Sequence, residues 1–134
     1  MTLRPVIVAL TDDVMVGTRI AGTLEAAGYA VRVVGDADAL RAAAWAGASA
    51  VVLPFAARTV DGIAVIRALR ADTATVALPI LAFGPHVDAA SRAAATAAGA
   101  TRTAPNGAFF TRMPALIAAL LAGTPPTAED EAET

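Results

Sequence analysis

The chain has no cysteine and no lysine, and only one histidine, one tryptophan and one tyrosine among its 134 residues. Without cysteine there is no disulfide, no thiol nucleophile and no thiolate metal site. Without lysine there is no Schiff-base chemistry and no ammonium of the kind that P-loops place on phosphates. His86 follows Pro85 and has no second histidine or cysteine to share a metal with, so it reads as a loop residue and no metal site is expected. The basic residues are all arginine. Ten of them against eight acids up to residue 124 leave a body of formal charge +2, while Glu129, Asp130, Glu131 and Glu133 give the last residues −4. A body so close to neutral offers no basic footprint, and no nucleic-acid partner is expected. Long apolar runs are also missing: nothing approaches the ~18 residues of a membrane span. The opening MTLRPVIVALTDD is too soon interrupted by polar residues to be a signal peptide, so a cytoplasmic location away from membranes is expected.

What is abundant is apolar. Hydrophobic residues make up 57% of the chain and charged ones 16%, enough for one well-buried domain. The segment TPPTAEDEAET has no large apolar residue and reads as a disordered acidic tail over 124–134, following a domain over 1–123. Within that domain two patterns alternate. Short β-branched runs, PVIVAL, YAVRVV, SAVVLP and LPILAF, predict buried strands, with a more polar fifth strand near ATRTA. Alanine-rich stretches with helical spacing lie between them. Val16, Ile20, Leu24 and Ala27 share one helix face, and Gly28 stands where such a helix ends. Ile63, Ile66 and Leu69 share another face, as do Leu116 and Leu120. Asp36 and Asp61 are placed to cap helix starts, Asp13 or Thr11 to cap the first helix, and Asn106-Gly107 reads as a turn. Strand–helix alternation predicts a doubly wound α/β domain with a parallel sheet.

In such a sheet function sits outside the carboxyl ends of the strands. Those ends are LTDD, LPFAARTVDG, AFGPHVD and TAPNG. Taken in order and at their spacing, VIVALTDDVM, AAGYAVRVVGDADAL, VDGIAVIRALRADTATVALPILAF and HVDAASRAAATAAGA resemble the receiver domain of bacterial response regulators, the CheY-like domain, over roughly residues 4–122. The resemblance implies a flavodoxin-like sheet of five strands in the order 2-1-3-4-5 with five helices. It also implies a two-component signalling role, a protein partner in a bacterial pathway, and a homodimer face made by helix four, strand five and helix five.

The chemistry that the resemblance implies is missing residue by residue. A receiver holds magnesium with two acids after strand one, where this chain has Thr11 and Asp12. It takes a phosphoryl group on an aspartate at the end of strand three, and that position is Pro54. The hydroxyl after strand four becomes Gly84, the aromatic on strand five becomes Thr103, and the lysine after it becomes Asn106. Proline has no nucleophilic atom, and magnesium needs several hard oxygens where Asp12 stands alone. A degenerate pseudo-receiver is therefore expected: not an enzyme, without cofactor, and acting by phosphorylation-independent protein–protein interaction. Val14 and Met15 on the rim of the first helix are candidate partner contacts, as are Arg92, Arg102 and Arg112 on the helix-four, strand-five, helix-five face. Arg58 is a candidate anion contact or a partner for Asp12. The alternative is a small-ligand sensor, since Pro54, Gly84 and Pro85 make the crevice more apolar. It is not a dinucleotide site, because LTDDVMVG lacks the glycine fingerprint.

Overall fold

The computed structural model describes residues 4–123; the acidic segment 124–134 lies outside the described residues, and so does the expectation that it is disordered. Five strands, β1 (Val6–Leu10), β2 (Ala30–Val34), β3 (Ala50–Pro54), β4 (Ile80–Gly84) and β5 (Arg102–Pro105), form one sheet. The order is β2-β1-β3-β4-β5 and every pairing is parallel. The helices are α1 (Val14–Ala26), α2 (Ala37–Trp45), α3 (Gly62–Ala71), α4 (Ala89–Ala98), α5 (Asn106–Thr111) and α6 (Met113–Ala122). This is the flavodoxin-like, CheY-like arrangement.

Each strand lies between two helical layers, and residue alternation sorts its side chains between them. Ile7, Ala9, Val52, Leu81, Phe83 and Ala104 point to the layer that contains Ile20 and Leu24 of α1 and Leu116, Ile117 and Leu120 of α6. Val8, Leu10, Val51, Leu53, Ile80 and Ala82 point to the other layer, against Leu40, Val65, Ile66, Leu69 and Ala95 from α2, α3 and α4. The central strands are buried on both faces, which is why their sequences run apolar without alternation.

Four aspartates fix four helix starts. Asp13, Asp36, Asp61 and Asp88 each precede a helix, and each side chain accepts a backbone N–H from inside it. Half of the body's acids are thereby committed to local structure.

Six helices stand where five were expected, because the last one is broken. In a continuous helix the ring of Pro114 would meet the carbonyl of Phe110, and its missing N–H would leave that carbonyl without a donor. The chain instead turns out of helical geometry at Arg112 (φ −125°, ψ 25°) and starts again at Met113. Asn106 and Gly107, expected to form a turn, are instead the first residues of α5, directly after β5.

Candidate functional site

Register brings the strand ends to one level. Pro54 lies opposite Phe83, and Gly84 opposite Pro105. The loops that follow open on the same edge around a crevice of about 500 Å³, lined by Thr11, Asp12, Asp13 and Val16 on one side and by Pro54, residues 56–60, Phe83, Gly84, Pro85, Asn106 and Phe110 on the others. All six residues carried over from the receiver resemblance sit at or beside this edge: Thr11, Asp12, Pro54, Gly84 and Asn106 line the crevice, and Thr103 lies one strand-step below.

Thr11 is engaged within its own loop and Asp12 with a residue distant in the chain. Thr11 Oγ1 accepts the Asp13 N–H (3.1 Å), and Asp13 Oδ1 accepts from the N–H of Met15 (2.9 Å) and Val16 (3.1 Å), capping α1. Asp12 is the one carboxylate here not used as a cap. It accepts a hydrogen bond from the Thr59 hydroxyl across 47 residues, so its partner is that hydroxyl and not Arg58. Arg58 stands exposed on the same loop and lines the crevice. Among the described residues no three acids or imidazoles gather into a group that could hold a metal ion.

Pro54 and Gly84 are each locked in by packing. The Pro54 carbonyl passes so close to α3 that a Cβ on Gly62 would stand 2.1 Å from its oxygen, so only glycine fits there. A Cβ on Gly84 would meet the Phe55 ring at 2.5, 2.6 and 2.8 Å. Phe55 is buried and its N–H donates to the Phe83 carbonyl (2.9 Å), which holds the residue against β4. The ring thus fills the space that a side chain at 84 would need. Position 103 is bridged as well: Arg92 Nε on α4 donates to Thr103 Oγ1 at 2.9 Å.

An aromatic wall closes the side of the crevice facing α1. Phe83 and Phe109 stack at 4.1 Å, and Phe110 meets both edge-on at 5.9 and 5.0 Å. The Arg19 guanidinium lies 4.5 Å from the Phe110 ring centre. Phe55, Thr59 and this wall escaped the sequence reading. Only the FF pair at 109–110, two of the four phenylalanines in the chain, hinted at it.

The expected partner contacts divide. Val14 and Met15 are 81% and 80% exposed at the start of α1. Arg102, expected on an open face, is 4% exposed. It is in register with Leu81, whose side chain lies in the layer shared with α1 and α6, so it faces the same side of the sheet. Arg92 and Arg112 are half-buried, and all three arginines make interactions within the chain. The face of α4, β5 and α5 therefore presents less free positive charge than the sequence suggested. Trp45 is 66% exposed, with its indole N–H donating to Asp72 Oδ2 at 2.9 Å.

No protein-family model matches this chain, and no curated protein matches it. Solved structures do. A protein described as a response regulator from Chloroflexus aurantiacus superimposes with a TM-score of 0.82 at 21% identity, over 90% of this chain and 99% of that one. The chemotaxis response regulator CheY4 of Vibrio cholerae gives 0.78 at 18%, over 88% and 99%. The receiver domain of TorR, the response regulator of the TMAO respiratory system, gives 0.79 at 19%, over 90% and 99%. At these identities the likeness is one of fold. No helix among the described residues is long and apolar enough to cross a membrane.

Proposed function

We propose that the protein is a pseudo-receiver: a signalling adaptor of response-regulator type that engages a protein partner without being phosphorylated. The observation that carries this reading is Pro54 at the carboxyl end of β3, with its carbonyl packed on Gly62, at the position where the fold's phosphate chemistry would need a carboxylate. No acyl phosphate can form on proline, and Asp12 in the same crevice is joined to Thr59 rather than to a second carboxylate. Gly84 and Thr103 add to the case. One is filled over by Phe55 and the other is tied to Arg92, so the two groups through which a phosphate would bias the fold are fixed by packing.

The docking surface is the start of α1. Two adjacent large apolar side chains there stand mostly in water, whereas Arg92, Arg102 and Arg112 are engaged within the chain. Two experiments test the reading. Acetyl phosphate with magnesium should leave the intact mass unchanged; a stoichiometric, hydroxylamine-labile phosphate would overturn the reading. Affinity capture should then enrich a partner that is lost with the Val14→Glu/Met15→Glu bait. Equal capture by both baits would refute the α1 surface.

A further inference from the structure

We infer that the crevice at the strand ends is itself a binding site, for an uncharged planar aromatic molecule carrying hydroxyl or carbonyl groups. The volume of about 500 Å³ lies in the range of small-molecule sites, and such sites are mostly apolar with a few placed polar groups. The floor and walls meet that description. Pro54 and Pro85 present rings and no N–H, and the rings of Phe83 and Phe110 flank them. Gly84 adds no polar group and cannot acquire one, because the Phe55 ring occupies that space.

The polar groups stand at the mouth, and they fix the ligand class. Asp12 and Arg58 carry opposite charges on facing loops, while the Asp13 carboxylate is turned toward the α1 amides. Two acids stand against one arginine, but the Asp13 charge is offset by the N-terminal amides of α1, so a full ionic charge on the ligand gains little. Hydroxyl and carbonyl groups can use the Asp12 acceptor, the Asn106 amide and the Arg58 guanidinium together. An aromatic body matches flat walls of proline and phenylalanine at low entropic cost. This inference rests on the crevice and not on the adaptor reading, so either can fail alone.

The test uses three dyes as probes on the full chain: neutral Nile red, anionic anilinonaphthalene sulfonate and cationic thioflavin T. Nile red should show saturable one-to-one fluorescence enhancement and shift the amide resonances of Thr59, Gly84 and Asn106. Pro54→Asp and Ala57→Glu should each weaken it at least about tenfold, with native-like amide spectra reporting that both variants fold. Trp45→Ala and Val76→Ser, which alter exposed apolar residues elsewhere, should change it less than about twofold. The site is refuted if Nile red gives no saturable signal, or if the remote variants abolish it while the crevice variants do not. Tighter binding of either charged dye by tenfold or more would overturn the assignment to neutral ligands.

Discussion

Gly84 gives the sharpest test of how the carboxyl end of β4 is packed. Its backbone is not among the positive-φ glycines, so the chain torsions accept alanine. The obstacle is steric: the new Cβ would lie 2.5–2.8 Å from three carbons of the Phe55 ring. That ring is 3% exposed and packed in the layer with Leu53, Ala82 and Ala95, so it has little room to retreat. Overpacking of this kind costs about 1–3 kcal/mol. Removing glycine's freedom from the unfolded chain returns about 0.4–1 kcal/mol. Gly84→Ala should therefore lose about 1–2 kcal/mol, a fall in Tm of roughly 3–10 °C for a domain of this size. The contact is isolated by a double-mutant cycle with Phe55→Val, read by urea unfolding. Phe55→Val alone should be destabilising through the space it leaves. Combined with Gly84→Ala it should cost less than the sum, because the added methyl enters that space, with a coupling of about 1 kcal/mol or more. Gly84→Ala as stable as the native protein, or costs that add within about 0.5 kcal/mol, would refute the Phe55 wedge. If the wedge holds, position 84 accepts no side chain until Phe55 is reduced.

Three further expectations follow from single contacts. Gly62→Ala should lose at least about 3 kcal/mol by thermal unfolding, since its Cβ would meet backbone rather than a side chain that can rotate away; a near-native Tm would contradict the β3–α3 packing. Arg70 donates to the carbonyls of Gly99, Val76 and Leu78 and to Thr101 Oγ1, joining the end of α3 to the segments that lead into β4 and β5. Arg70→Ala should cost about 2 kcal/mol in urea unfolding, and Arg70→Lys, with one ammonium for four acceptors, should recover less than half of it. Asp72 is held below its ordinary pKa of 3.8 by the Ala74 N–H, then by the Trp45 indole and by nearby Arg41. A depressed carboxylate stabilises the fold above the unfolded pKa, and that contribution is lost as pH falls through the lower folded value. The single tryptophan reports it: Trp45 emission should stay constant from neutral pH down to about 4 and change below, and Asp72→Asn should abolish the step.

The sequence by itself determined most of the elements and the order in which they alternate. Short β-branched apolar runs such as SAVVLP, flanked by small and turn-forming residues, fit strands buried on both faces, and this one is β3. The spacing of Val16, Ile20 and Leu24 can only be one helix face, and Asp36 and Asp61 cap helices through amides three residues away. These are local relations, legible because the interacting groups are near neighbours in the chain. The place of Pro54 at the end of the β3 run was legible too, since it follows directly on the apolar residues of that strand. The break between α5 and α6 was written locally in Pro114 but was overlooked, because Asn106-Gly107 is also good turn chemistry. The tertiary structure alone decided the rest. Phe55 against Gly84, Thr59 against Asp12, Arg92 against Thr103 and Trp45 against Asp72 join residues between 11 and 47 positions apart. Register and helix packing bring those pairs together, and no periodicity encodes them. The same holds for Arg102, whose burial follows from sharing a face with Leu81 and not from any property of arginine.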